Sequence, residues 1–256
     1  MSQPEFETIF ARTAEHLEAA QALRYQVFVQ ELGGDGTLVD HARGLEQDRF
    51  DPFSEHLLLL DRTRGGGVSG QVVGAYRLLD QVGAEKTGGF YSEQEYDLTP
   101  LKASRRALLE LGRSCLHRDY RGGMAMYHLW SALAEHVLAS QVDVLFGVAS
   151  FHGTDVERLA QPLSLLHYNH RAAAALRPHA REPSTPLDLL PEEQLDRKAA
   201  MLQIPALIKA YLRLGGGIGE GAFLDHSFNT TDVCLVLDTA QMSEKQRKIY
   251  TRGRSR

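Results

Sequence analysis

The hexapeptide Arg118-Asp119-Tyr120-Arg121-Gly122-Gly123 separates an apolar strand-like run from an amphipathic helical pattern, and its residue types suit anion binding. A helix start leaves several backbone N–H groups without partners and carries the positive end of the macrodipole. Two guanidiniums and two adjacent glycines ahead of such a start let the backbone close on a phosphate. The alternative for such a loop is a solvated connector.

A second group of charges lies upstream. Residues 33–55 are polar, punctuated by glycine and rich in acids, namely Asp35, Asp40, Glu46, Asp48, Asp51 and Glu55. Loops of this length inside a domain are usually functional or disordered. Arg77 stands in a run of Val, Tyr and Leu, where a guanidinium is costly to bury without a carboxylate. It is therefore either an edge residue facing water or paired across a sheet. Arg24 and Phe28, four residues apart, share a helix face.

The elements that must position these residues follow from periodicity. Residues 5–12 read as a first strand, and the apolar spacing of Leu17, Ala20, Leu23, Val27 and Phe28 predicts a helix from Ala14 to Leu32. Residues 56–61 and 71–79 read as a hairpin with a loose glycine-rich loop, and 88–101 as loop with a short helical turn. The strand ahead of the basic turn is followed by a helix with Met126, Leu129, Trp130, Leu133 and Val137 on its core stripe. Central strands are expected at 142–149 and 231–237. Prolines at 178, 183, 186 and 191 mark an irregular excursion, and Pro205 breaks the helical pattern of 192–214 near Ile204. The second piece, 206–214, is either a packed helix or a wall that meets a groove or membrane surface. The glycine-rich run 215–221 follows a helix rather than a strand, so it lacks the context of a dinucleotide loop. The whole reads as an α/β or α+β fold with a mostly antiparallel sheet. It spans 1–240 as one domain with the helical excursion at about 178–220, followed by a basic, flexible tail at 241–256.

A formal net charge of −5 argues against a dedicated nucleic-acid binder. Local basic clusters at Lys102, Arg105 and Arg106, at Arg113, Arg118 and Arg121, and in the tail suit an acidic partner or an anionic membrane surface. Two cysteines without CxxC spacing indicate a reducing, cytoplasmic setting. Neither a signal peptide nor an apolar run of about 18 residues is visible, so a soluble or peripheral protein is expected. His117, His152 and His167 lack ligand spacing, and no metal is expected.

Taken together, Arg24-x-x-x-Phe28, Glu46-x-Asp48-x-x-Asp51, Gly74-x-x-Arg77-Leu78 and Glu110-x-x-Arg113 resemble the pattern shared by acyl-homoserine-lactone synthases and haemolysin-like N-acyltransferases, branches of the GNAT fold. The stretches RSCLHRDYRGG, LFGVASFHGTD, the run from Pro205 to Asp238 and the late IYTR are similar to bacterial ornithine N-acyltransferases, over about residues 5–252. The resemblance implies a GNAT-like fold and transfer of a fatty acyl group, typically 3-hydroxylated, from the phosphopantetheine of acyl carrier protein to the α-amine of L-ornithine. The product would be lyso-ornithine lipid. No bound cofactor is implied, since the acyl-phosphopantetheine is a donor substrate. The usual GNAT loop reads Gln/Arg-x-x-Gly-x-Gly/Ala. Here Arg118 and Gly123 match, while Arg121 replaces the first glycine. That departure fits a carrier-protein donor better than the pyrophosphate of coenzyme A.

Amide formation from a thioester needs a neutral amine, a base and oxyanion stabilisation. The candidates for the base are Glu46, Glu110 and Asp48. Asp48 and Asp51 would hold the acceptor's side-chain ammonium, Arg24, Arg77 or Arg113 its carboxylate, and Phe28 would line the site. Arg118, Arg121, Gly122 and Gly123 would bind the donor phosphate. The same charged residues would also serve as a lattice that holds the acidic loop onto the sheet. Cys115 lies in an apolar strand, where its reactivity is suppressed, so direct attack by the amine is expected rather than an acyl-enzyme. Glu110 and Arg113 differ by three and a regular strand sends them to opposite faces, so a shared site requires a bulge near Gly112. The alternatives are a lactone synthase using S-adenosylmethionine, an N-acyltransferase for another amino acid, and a non-catalytic carrier- or lipid-binding module.

Overall fold

Runs of buried leucine and valine set the architecture, with buried charges such as Arg77 and Glu110 set within them. The computed structural model describes residues 3–242. Its first part comprises β1 (Phe6–Phe10), α1 (Ala14–Arg24), β2 (Glu55–Asp61), α2 (Gly67–Gln71), β3 (Val72–Asp80) and α3 (Gln81–Thr87). There follow β4 (Tyr96–Asp97), α4 (Thr99–Ala103), β5 (Leu108–Leu116), α5 (Ala125–Ala139), β6 (Val144–His152) and α6 (Ala160–Asn169). The last part holds β7 (His179–Ala180), β8 (Ser184–Thr185), α7 (Arg197–Gln203), α8 (Ala206–Arg213), β9 (Gly217–Ile218), β10 (Ala222–Asp225) and β11 (Thr230–Asp238). The tail from residue 243 and the IYTR motif lie outside the described residues.

The chain forms two compact units, residues 3–89 with 111–141 and residues 90–110 with 142–242. In the first, β1 pairs antiparallel with β2 and β2 with β3, and β5 lies beside β3. Leu57–Leu60 and Val72–Leu79 are buried without alternation, as expected of strands covered on both faces. Leu58, Leu60, Val72, Ala75 and Cys115 pack with Ala19, Ala20 and Leu23 of α1, and Phe28 joins the edge of this cluster. Gly74 points the other way. A Cβ there would stand 2.9 Å from Leu129 Cδ1 of α5 and 2.8 Å from Leu116 Cδ2, so any side chain would have to displace those two leucines where α5 seats on β3.

In the second unit, β5 runs parallel to β6 with Leu108–Glu110 against Val144–Phe146. The pairings of β6 with β11, β11 with β10 and β10 with β8 are antiparallel, and β9 also pairs with β11. Buried leucines 163, 165 and 166 of α6 and Ile208 and Tyr211 of α8 fill the core here.

Most expected elements are present. The helical pattern of 192–214 divides where expected, with Pro205 at the N-cap of α8. The helix expected to reach Leu32 is α-helical only to Arg24. Residues Tyr25–Glu31 form a π-helix, in which Leu32 N–H bonds back five residues to the Val27 carbonyl. Apolar spacing of three and four does not distinguish the two windings. β6 extends to His152, and the loop between β2 and β3 holds the short α2. Among the described residues, no helix is long and apolar enough to cross a membrane.

Candidate active site

Six side chains of the first unit close an alternating ring of charge. Arg24, at the end of α1, donates through Nε to Glu46 Oε2 and through Nη1 to Asp51 Oδ1 at 2.7 Å. Arg77 on β3 donates to both Asp48 oxygens at 2.6 Å and to Asp51 Oδ1 at 3.1 Å. Arg113 on β5 completes the circuit, with Nε to Glu46 Oε1 and Nη2 to Asp48 Oδ2, each at 3.1 Å. Every arginine therefore touches two carboxylates and every carboxylate two arginines.

Local structure explains why the loop arrives in place. Glu46 N–H donates to the Gln21 carbonyl at 3.1 Å, and Gln21 Nε2 donates to Asp51 Oδ2 at 3.0 Å, so α1 grips the loop at both ends. Asp48 Oδ1 accepts from Phe50 N–H at 2.9 Å, a turn-forming bond typical of Asp. The Phe50 ring lies beneath Arg77, 5.5 Å from its guanidinium carbon. The loop that was expected to be functional or disordered is ordered by the ring.

Burial divides the ring. The side chains of Arg24, Arg77, Glu46 and Asp51 are at most 5% exposed, whereas Asp48 and Arg113 are 18% and 17% exposed. Burial opposes the charge of Asp51, yet Arg24 and Arg77 overcome it and hold the carboxyl far below the ordinary carboxylate range. Asp48 is lowered in the same way, against burial, by Arg77 and Arg113. Acids held so firmly ionised are weak bases. Arg24 keeps one further buried nitrogen, Nη2, without a hydrogen-bond partner among the described residues.

Arg113 takes its place through its backbone. Its φ of 50 lies in the left-handed region, unusual for a residue with a side chain, and breaks the regular alternation of β5 one residue past Gly112. A bulge near Gly112 is required only if Glu110 and Arg113 share a site, and Glu110 binds Tyr91 and Ser92 instead. A Cβ at Gly112 would meet the Arg77 guanidinium only at 3.9 Å, an ordinary contact.

Glu110 belongs to the second unit and has partners of its own. Oε2 accepts from Tyr91 N–H at 2.7 Å, and Oε1 accepts from Ser92 N–H at 2.6 Å and from the Ser92 hydroxyl. Its carboxylate anchors the 90–94 segment.

At the basic turn, Arg118–Tyr120 form a 3-10 turn, Gly122 adopts φ 78, and α5 begins at Ala125 with no side chain capping its first turn. Tyr120 OH donates to Asp61 Oδ2 at 2.6 Å and fastens the turn to the end of β2. Arg121 is engaged within the protein, with Nε on the Leu116 carbonyl at 3.1 Å and Nη2 on Glu31 Oε2 at 2.7 Å. Arg118 projects into solvent. Of the other basic cluster, Lys102 pairs with Glu93, and Arg106 pairs with Asp238.

Cys115 is buried, and burial pushes its thiol up to about 12. One group of residues was not singled out by sequence reasoning: Glu95, Asp225 and Asp232 of the second unit bring carboxylate oxygens within 4.8 Å of one another. The sequence signal available was an acid inside the apolar run of β11.

An anion-ready helix start and an ion-paired acidic loop on a mostly antiparallel sheet define a GNAT-type acyltransferase. The model described as "Acetyltransferase (GNAT) domain" matches residues 23–131. A CoA-dependent acyl-homoserine lactone synthase, BjaI, solved with MTA, shares the fold at a TM-score of 0.50 and 16% identity, covering 94% of this chain and 82% of that one. The chain belongs to the L-ornithine N(alpha)-acyltransferase family. It is 58% identical to the member so named from Rhodobacter capsulatus, over 96% of this chain and 95% of the relative, and 39% identical to that from Brucella abortus, over 95% and 88%.

Proposed function

We propose that the protein transfers a 3-hydroxyacyl group from the phosphopantetheine thioester of acyl carrier protein to the α-amine of L-ornithine, forming lyso-ornithine lipid. The observation that carries this reading is the 58% identity, across nearly the whole of both chains, to a relative named for that acceptor. The uncapped start of α5, with Gly122 turned to φ 78 and Arg118 exposed, offers the donor phosphate backbone N–H groups and a guanidinium. The buried thiol of Cys115 favours direct attack by the amine over an acyl-enzyme. No bound cofactor is needed, and the acidic carrier is met by basic side chains of the surface. The setting is cytoplasmic, with any membrane contact peripheral.

Within this reading the charge ring is scaffold, and its exposed rim, Asp48 and Arg113, is the part a substrate reaches. Both oxygens of Glu46, of Glu110 and of Asp48 already accept hydrogen bonds, but Glu46 and Glu110 are buried whereas the Asp48 side chain is 18% exposed. Asp48 is therefore the most accessible of the three base candidates, and its lowered pKa makes it a weak one.

The test is mass spectrometry of products from purified protein, 3-hydroxyacyl-loaded carrier protein or the matching acyl-coenzyme A, and a panel of amino acids. N-acylornithine formed preferentially from the carrier-bound donor is expected. A lactone from S-adenosylmethionine, preference for another amino acid, or carrier binding without amide product would overturn the assignment.

A further inference from the structure

The ring shows how this chain treats buried acids when it supplies the countercharge itself. Glu95, Asp225 and Asp232 are treated differently. In the hairpin of β10 and β11, Asp225 faces Thr230 and Phe223 faces Asp232. Directly opposed residues share a sheet face, so the two aspartates are diagonal neighbours on one side. Tyr96 OH donates to the Asp232 carbonyl at 2.8 Å and the Gly221 carbonyl at 3.0 Å, which ties the residue after Glu95 to the same hairpin. Asp225 Oδ1 is occupied by the N–H groups of Ser227 and Phe228 at 2.8 and 3.0 Å.

A second observation points to a missing partner. Asp232 is 4% exposed, and its carboxyl draws hydrogen bonds from the Thr230 hydroxyl, to Oδ2 at 3.2 Å, and from the side chain of Ser150 on the paired strand, while its Oδ1 meets no partner of good geometry among the described residues. Buried carboxylate oxygens are rarely left so. Set against two more carboxylates, this one calls for a cation. Burial, more than the neighbouring charge of Asp225, raises the Asp232 carboxyl to about 6, so a proton leaves it mostly ionised at neutral pH.

We propose that Glu95, Asp225 and Asp232 hold the terminal ammonium of a diamino-acid acceptor. An ammonium carries three N–H donors, one for each carboxylate. Three acceptors arranged around it at about 2.9 Å stand about 4.7 Å apart, a spacing that lies inside the 4.8 Å bounding these three carboxylates. Asp225, half-buried, is the open side. The assignment rests on the ornithine reading above and supplies what the ring does not, since Asp51 is buried and already held by two arginines.

The experiment compares the full-length wild type with Asp225→Asn and Asp232→Asn, measuring kcat/KM for L-ornithine and for L-norvaline, which has the same skeleton without the terminal amine. Calorimetric binding of L-ornithine is read in parallel. The expected result is a loss of about tenfold or more with ornithine, carried by KM, and about unchanged turnover of norvaline. Ornithine binding should weaken in step. Equal losses with both acceptors, unchanged ornithine binding, or EDTA-sensitive activity restored by Ca²⁺ or Mg²⁺ would overturn the proposal. Wild type that acylates neither amino acid defeats the ornithine reading itself, and calorimetry then decides the carboxylate group separately. Asp225→Asn, at a half-exposed position, carries the test if Asp232→Asn does not fold.

Discussion

Arg113 reaches Glu46, Nε to Oε1 at 3.1 Å, from a backbone turned to φ 50. A left-handed arginine costs on the order of 1 kcal/mol, and the two carboxylates it joins offset that cost. Strain in the strand and charge in the loop are therefore one feature of this fold.

Arg24 is the ring member with most to lose. Replacing it with leucine leaves Glu46 and Asp51 short of a partner in the interior, and breaking a buried pair in this way costs about 3–5 kcal/mol. Urea titration should show that loss for Arg24→Leu. Arg43→Ala, at an exposed pair with Glu18, should leave the midpoint nearly unchanged.

The ring and His56 both predict acid lability. Asp48 and Asp51 have folded pKa values below the unfolded value of about 3.9, so their contribution is complete above that value and is lost as pH falls through the lowered ones. His56 is lowered by burial first, so it must remain neutral, and its contribution is present above about 6.5 and declines below. Stability measured from pH 7 to pH 3 should fall in two stages. His56→Gln should shrink the upper one, to which His117 and His170, also lowered by burial, contribute, and a single late transition in the wild type would contradict this assignment.

Arg121 separates two ways of using a basic turn. Arg121→Gly should raise KM for acyl carrier protein more than for acyl-coenzyme A, whereas equal losses would deny it a role in donor choice. Glu31→Gln releases the same guanidinium without removing it. If Arg121 contacts the donor directly, this variant keeps carrier-protein use within about twofold; if it acts by holding the turn, both variants lose similarly.

Cys115→Ser should retain turnover, because a thiol at about 12 is not a thiolate at neutral pH. Intact-mass measurement after a single turnover checks the point, and an acyl adduct on Cys115 of the wild type would reverse it.

How much of this was legible in the sequence varies by residue. The strand at 56–61 and the break at Pro205 are local matters of period and ring chemistry, and both stand close to where spacing puts them. The resemblance gathered Arg24, Glu46, Asp48, Asp51, Arg77 and Arg113 without their connectivity. Arg24 meets Glu46 across 22 positions and Arg113 meets it across 67, and such pairings arise only when strands and loop assemble. Glu110 shared a motif with Arg113, yet its partners are Tyr91 and Ser92, in a segment without period. Asp232 was hidden because its neighbours Val233 and Cys234 make the strand read as core.

The closed ring also limits how the sequence can drift. With three positive and three negative members, its formal charge sums to zero. Loss of any one side chain leaves a surplus charge in a largely buried place, whereas loss of an adjacent arginine and acid together restores neutrality. Single steps away from this arrangement pass through a charged intermediate, so variants that escape it are expected to change an arginine and its neighbouring acid together.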